Sequence, residues 1–254
     1  RSGGMALWSD FAPPRSSEGS SPTHISNLAR RLLPGDRAEL GVLAAIFVAA
    51  ASALSFGLLA SEMAEGETRA FDKAVLLAFR NPVNLADPIG PAWLASAVRD
   101  VTSLGSTTML TLIVMASAGY LLLDGKRAST VLLLISVIGG SVLSRVMKIA
   151  FGRERPDIVP HLMTETSLSF PSGHAMNSAI LYLTLGALLA RAQNGRWQQA
   201  YMFGVAALVA VAVGLSRIYL GVHWPTDVLA GWSVGAAWAM GCVVAAIWFE
   251  RRKG

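Results

Sequence analysis

Three short segments hold most of the polar residues that could do chemistry: Lys148-Ile-Ala-Phe-Gly-Arg-Glu-Arg155-Pro156, Pro171-Ser172-Gly173-His174, and Ser216-Arg217-Ile-Tyr-Leu-Gly-Val-His223-Trp-Pro-Thr-Asp227. In the first, Lys148, Arg153 and Arg155 make a cationic cup suited to a phosphate, because arginine binds two oxygens at once and lysine acts as a point charge. Taken alone, that cluster reads equally well as an anchor in lipid headgroups. In the second, a helix opening at Pro171-Ser172-Gly173-His174 aims its unpaired N–H groups at an anion. Gly173 allows close backbone approach, and Ser172 can cap the helix, donate its hydroxyl to a phosphate oxygen, or both. In the third, His223 and Asp227 lie four residues apart with Pro225 between them. A helix starting near Pro225 lets the carboxylate reach back to the imidazole, which fixes the tautomer and stabilises a protonated or phosphorylated ring. A lone membrane histidine would read as structural. Two, one of them paired with a carboxylate and both beside Lys148, Arg153, Arg155 and Arg217, read as a phosphate-transfer site.

The elements that must position these segments are membrane helices. The chain has 254 residues, is 53% hydrophobic and 15% charged, and has a mean hydropathy of +0.50, a balance that keeps no soluble domain of this size dissolved. A helix crosses the roughly 30 Å hydrocarbon layer with about 20 apolar residues. Six stretches qualify, at 39 to 61, 105 to 123, 129 to 150, 174 to 192, 199 to 215 and 228 to 249, the fifth being the shortest. Between the first two, Phe71, Val75, Leu76 and Phe79 recur at helical spacing among charges, as in an amphipathic helix lying at the interface, until Pro82, Pro88 and Pro91 break it. The expected fold is an all-α polytopic membrane bundle of about six transmembrane helices, with that interfacial amphipathic helix in the first outer loop. Gly231 and Gly235, and Gly139, Gly140 and Ser144, have the spacing that lets membrane helices pack closely within one chain.

Lysines and arginines in short loops favour the cytoplasm. Arg30, Arg31, Arg37, Lys126, Arg127, Arg191, Arg196, Arg251, Arg252 and Lys253 all fall on one side of the six spans. Both termini are then expected to be cytoplasmic, with the three chemical segments on the outer face. Lys148, Arg153, Arg155 and Arg217 break the rule on that face and so need another reason. The net charge of +5 and pI near 9.8 come from basic residues scattered between apolar runs, so no nucleic-acid partner is expected. Residues 1 to 4 resemble a tag remnant, and 5 to about 38 read as a flexible cytoplasmic tail; 39 to 250 form the membrane domain and 251 to 254 a short closing tail. The single cysteine, Cys242, precludes an internal disulfide, and no carboxylate cluster reads as a metal site.

Lys, six residues, Arg-Pro; then Pro-Ser-Gly-His; then Ser-Arg, five residues, His, three residues, Asp: the order and spacing resemble the tripartite signature of the type 2 phosphatidic acid phosphatase (PAP2) superfamily, with every position filled. The likeness covers residues from about 40 to 249 and extends to the family's six-span bacterial membrane enzymes. It implies a lipid phosphatase without metal or other cofactor, in which His223 attacks phosphorus, Asp227 bonds its other ring nitrogen, and His174 protonates the leaving oxygen. Lys148, Arg155, Arg217, Ser172 and the backbone of Gly173 would hold the transferring phosphoryl group. In a bacterial inner membrane the first-choice substrate is undecaprenyl diphosphate, with phosphatidylglycerol phosphate, phosphatidic acid and lipid A phosphate as alternatives.

Competing readings are a lipid phosphotransferase, which would pass the phosphoryl group to another lipid, a haloperoxidase, opposed by six spans, and a non-catalytic transporter or scaffold, which needs no His174, His223 and Asp227 set. Among other residues, His161 reads as a solvated loop residue, Arg153 and Glu154 as shaping the entrance, and Arg145 as pairing with an outer carboxylate such as Asp100. Tyr219 and Trp224 read as interface anchors, and the stretch from Asp100 to Ser106 has no assignable chemistry.

Overall fold

The computed structural model describes residues 37–253, and the chain divides into Arg1–Gly41 and Val42–Gly254, the second of which holds everything discussed below except the first residues of one helix. The expected tag remnant and most of the tail lie outside the described residues. Among the described residues all regular structure is helical: α1 (Arg37–Glu65), α2 (Arg69–Ala78), α3 (Ala92–Ser103), α4 (Thr107–Leu123), α5 (Arg127–Phe151), α6 (Gly173–Arg191), α7 (Arg196–Tyr219) and α8 (Pro225–Lys253).

Helices α1, α5, α6, α7 and α8 are each long and apolar enough to cross a membrane, and α3 with α4 makes a sixth span if the pair is counted as one, bent by 47°. The second expected span is therefore a short helix entered through a bend, because Gly105 and the Ser106 cap interrupt the helix between the two halves. The fifth, expected to be shortest, runs 24 residues from Arg196 to Tyr219. Its polar ends, cut off by hydropathy, stay helical because Arg217 finds partners inside the protein. Helix α8 likewise continues through the closing basic residues to Lys253. Large apolar side chains stand exposed on several of these helices, among them Phe47 and Leu54 on α1, Ile138 and Val146 on α5 and Leu208 on α7. Hydrocarbon, not water, is the solvent such a belt requires.

Helix α6 sits at the centre with α5, α7 and α8 against it. The approach of α8 depends on its glycines. A Cβ on Gly231 would lie 2.8 Å from the Ser172 carbonyl oxygen, and one on Gly235 2.7 Å from that of Met176. Gly139 is covered by the Trp238 ring and Gly140 by Ile180, so the small residues do serve packing within the chain.

The segment between α1 and α4 differs from the expected single interfacial helix. Helix α2 forms over the expected stripe, but Val75, Leu76 and Phe79 turn into a cluster with Val159, Ile218 and Val228, while Phe71 is exposed. Asp72, on the same inward face, is fully buried. A further helix, α3, follows the three prolines, which end α2 without ending helical structure in the segment. Buried Arg80 donates to the Tyr219 carbonyl at 2.8 Å, tying this segment to the end of α7.

Candidate active site

All three chemical segments meet at one end of the bundle. Helix α5 stops at Gly152, whose φ of 60° reverses the chain and whose N–H donates to the Lys148 carbonyl. Only glycine adopts that left-handed turn without strain, and it swings Arg153 and Arg155 back over the end of α5. Helix α6 opens with buried Ser172 as N-cap, its hydroxyl accepting from the Ala175 N–H at 3.5 Å. Gly173 faces Lys148, so a Cβ there would lie 3.5 Å from Lys148 Cε. Helix α7 delivers Arg217 in its last turn, and a second left-handed glycine, Gly221 at φ 76°, turns the chain towards His223 before α8 begins at Pro225. Asp227 then sits in the first turn of α8, as the Pro225 reading requires.

His223 is buried, and its two ring nitrogens see different surroundings. Nε2 lies 3.2 Å from Arg155 Nη1, and Nδ1 lies 3.4 Å from Asp227 Oδ2. A guanidinium can only donate, so Nε2 is the acceptor and the ring proton sits on Nδ1, facing the carboxylate. The His–Asp contact is looser than the sequence implied because Ser169 intervenes: its hydroxyl donates to Asp227 Oδ2 and lies 3.3 Å from His223 Nδ1. The Trp224 N–H also donates to Oδ2, at 2.8 Å.

Around Nε2 stand the expected cations. Arg155 donates from Nη1 to the Val222 carbonyl at 2.6 Å and from Nε to the Ser167 carbonyl at 2.7 Å. Lys148 donates to the Leu168 carbonyl. Arg217 is fully buried and donates to Thr102 Oγ1 at 3.1 Å, while its Nε has no partner among the described residues. Glu165 lies in the cup, paired with Arg217 and 3.5 Å from Arg155. Burial favours its neutral form, but Arg217 and then Arg155 prevail and hold the carboxyl below its ordinary range. His174, half-buried at the start of α6, lies against Gly105, where a Cβ would come within 3.3 Å of its ring.

Burial, and after it the positive charge of Arg155, Arg217 and Lys148, pushes the His223 imidazole well below its ordinary value of 6.5. Protonation would consume the Nε2 lone pair, and the depressed value moves that loss to lower pH. In protein labelled selectively at histidine, NMR titration with a His223→Ala control for assignment is expected to show this ring still neutral at pH 6.5. A ring half-protonated there would contradict the electrostatics described.

The eight residues expected from sequence, Lys148, Arg155, Ser172, Gly173, His174, Arg217, His223 and Asp227, thus converge. Arg153 and Glu154 do line an open cavity of ≈ 450 Å³, with Arg69, Lys73 and Trp224, that shares Arg155 with the cup. Other expectations change. Tyr219 is a core residue, its hydroxyl donating to the Ile89 carbonyl at 2.8 Å, so it is no interface anchor. Exposed Arg145 pairs with no carboxylate among the described residues, Asp100 included, and His161 is exposed as expected. The stretch that had no chemistry supplies Thr102 to Arg217 and Gly105 to His174. No group of three or more His, Cys, Asp or Glu side chains able to hold a metal occurs among the described residues.

A lysine, two arginines, a helix N-terminus and an imidazole backed by a carboxylate, gathered at one end of an apolar helical bundle, make a place where a phosphate group could be bound and attacked. The PAP2 superfamily profile matches residues 129–252. The chain is 36% identical over 185 residues to phosphatidylglycerophosphatase B of Bacillus subtilis strain 168, covering 72% of this chain and 86% of that protein. It is 34% identical over 125 residues to an undecaprenyl-diphosphatase of Sulfolobus acidocaldarius, covering 47% and 56% respectively. Its fold is similar to the crystal structure of a transmembrane PAP2-type phosphatidylglycerolphosphate phosphatase from Bacillus subtilis, with TM-score 0.71 and 28% identity over 81% of this chain and 97% of that one. The chain belongs to the PAP2 superfamily and is an integral membrane lipid phosphatase.

Proposed function

We propose that the protein releases inorganic phosphate from a lipid phosphate or diphosphate through a phosphohistidine on His223. The observation that carries this reading is the geometry of the His223 ring, with Nδ1 towards Asp227 and Nε2 beside the Arg155 guanidinium. Nε2 attacks phosphorus as the bond to the lipid oxygen breaks, and His174 gives that oxygen its proton. His174 then takes a proton from water, whose oxygen attacks phosphorus, and the P–N electron pair returns to Nε2. Lys148, Arg155 and Arg217, with Ser172 and the Gly173 backbone, hold the non-bridging oxygens. Positioning and charge stabilisation supply most of the acceleration in phosphoryl transfer. An arriving phosphate competes with the Glu165 carboxylate for Arg217 and Arg155.

The lipid chain is assigned to the apolar cleft of ≈ 300 Å³ between α1, α5 and α8, lined by Phe56, Met147 and Trp238. Coverage of the relatives favours phosphatidylglycerol phosphate as substrate, with undecaprenyl diphosphate as the other leading choice. The placement of lysines and arginines in the short loops supports a site on the outer face of a bacterial inner membrane, with both termini cytoplasmic.

Purified protein in detergent, offered a panel of these lipids with and without EDTA, is expected to release free phosphate equally in both, without an acceptor lipid. Release abolished by EDTA would overturn the metal-independent chemistry, and release only with an acceptor would make the protein a phosphotransferase.

A further inference from the structure

Beyond the residues given roles above, one fully buried carboxylate stands out. Asp72, on the inward face of α2, accepts from Arg153 Nη2 at 2.7 Å, from Thr226 Oγ1 at 2.7 Å and from the Thr226 N–H at 2.9 Å. The other nitrogen of the same fork, Arg153 Nη1, donates to Asp227 Oδ1 at 2.6 Å and to Thr226 Oγ1 at 2.8 Å. A continuous chain thus runs Asp72, Arg153, Asp227, His223 through α2, the loop after α5 and the start of α8.

Docking α2 does not require this. Leu76 and its apolar neighbours already seat the helix, and a well-packed apolar side chain commonly replaces a buried ion pair without loss of stability. A carboxylate at this place has an electrostatic consequence instead. Paired with Asp227 alone, Arg153 would neutralise the charge that faces His223. With Asp72 on its other nitrogen, the guanidinium is shared between two carboxylates, and the three groups together keep a net negative charge facing the imidazole. The rigid planar fork also fixes which Asp227 oxygen points where: Oδ1 to Arg153, Oδ2 to Ser169, Trp224 N–H and His223.

We propose that Asp72 is a positioning residue of the reaction, acting through Arg153 to hold Asp227 in the orientation that His223 needs and to leave the cluster a net negative charge. This rests on the reading of His223 as nucleophile and Asp227 as its partner. It makes the helix between the first two spans part of the catalytic apparatus, at one remove.

The test is steady-state phosphate release by the full chain with Asp72→Asn, Asp227→Asn and both together. Asp72→Asn keeps the shape and removes the charge, and kcat is expected to fall about 10- to 100-fold with KM changed less than about 2-fold. In the Asp227→Asn background the same substitution is expected to change kcat less than about 3-fold, since the two act as one unit. A wild-type kcat in Asp72→Asn, a loss confined to KM, or full additivity in the double variant would each overturn the proposal. If Asp72→Asn does not fold, Arg153→Lys asks the same question, because it keeps the charge but cannot bridge two carboxylates. It is expected to lose kcat at unchanged KM, and a wild-type kcat would overturn the proposal. If His223→Ala and Asp227→Asn stay active, the nucleophile reading itself has failed. If they are inactive while Asp72→Asn is unimpaired, only the positioning role has.

Discussion

Replacing His223 by alanine is expected to lower kcat for phosphate release by about 10⁴-fold or more, the scale on which removal of a nucleophile acts in comparable triads. The reason is geometric as much as chemical. Of the two site histidines, His223 has Nε2 beside Arg155 and Nδ1 towards a carboxylate, whereas His174 stands half-buried at the opening of α6. Asp227→Asn is expected to follow it at a smaller magnitude, because the amide can still accept on one side but carries no charge. Both variants are expected to fold: the Asn oxygen can still accept from Ser169 and the Trp224 N–H, Arg153 keeps its pair with Asp72, and alanine at 223 removes a ring without stranding a buried charge. Phosphate release per molecule of folded protein, with folding monitored by thermal unfolding in detergent, makes the comparison. A His223→Ala variant within about tenfold of wild type would be incompatible with an attacking imidazole.

The second large effect belongs to Arg217. Its guanidinium has no exposed surface and bonds Thr102 and Glu165. Arg217→Ala removes a group proposed to bind phosphate, leaves Thr102 without its donor and leaves Glu165 with Arg155 alone, so it is expected to lose activity and also about 2–3 kcal/mol of stability, at or below the low end for breaking a buried ion pair because Glu165 is partly exposed. Arg217→Lys restores a charge but not the fork, and should recover stability in part and activity little. Adding Glu165→Ala to Arg217→Ala is expected to regain much of the stability while leaving the protein inactive. Thermal unfolding and phosphate release together check this; a single Arg217→Ala variant as stable as wild type would show that Glu165 does not depend on the pair.

Much of this site was legible because its residues sit at the ends of elements that announce themselves. Lys148 closes an apolar run, Ser172 and His174 open one, and Pro225 marks the helix on which Asp227 lies four residues from His223. Glu165 and Ser169 belong to the irregular loop between α5 and α6, where no periodicity or cap says which side chain turns inward. Thr102 and Gly105 reach the site only because α3 and α4 meet at a bend of 47°, a tertiary feature that hydropathy does not encode. Asp72 is different, since its signal was present. The inward face of α2 and its C-cap comprises Asp72, Val75, Leu76 and Phe79, at the spacing i, i+3, i+4 and i+7, yet an apolar stripe drawn through Phe71 passes over the carboxylate. A charge at a stripe position is costly unless paired, so it points to a buried partner.

The measurement that bears most directly on the central claim is rapid acid-free quenching of the enzyme with a lipid carrying radiolabelled phosphate, followed by mapping of the label on the chain. The expected result is a transient, acid-labile and alkali-stable phosphoryl group on His223, absent from His223→Ala and longer-lived in His174→Ala, where hydrolysis lacks its base. Turnover with no covalent label at any time, or label on a residue other than His223, would contradict the phosphohistidine mechanism.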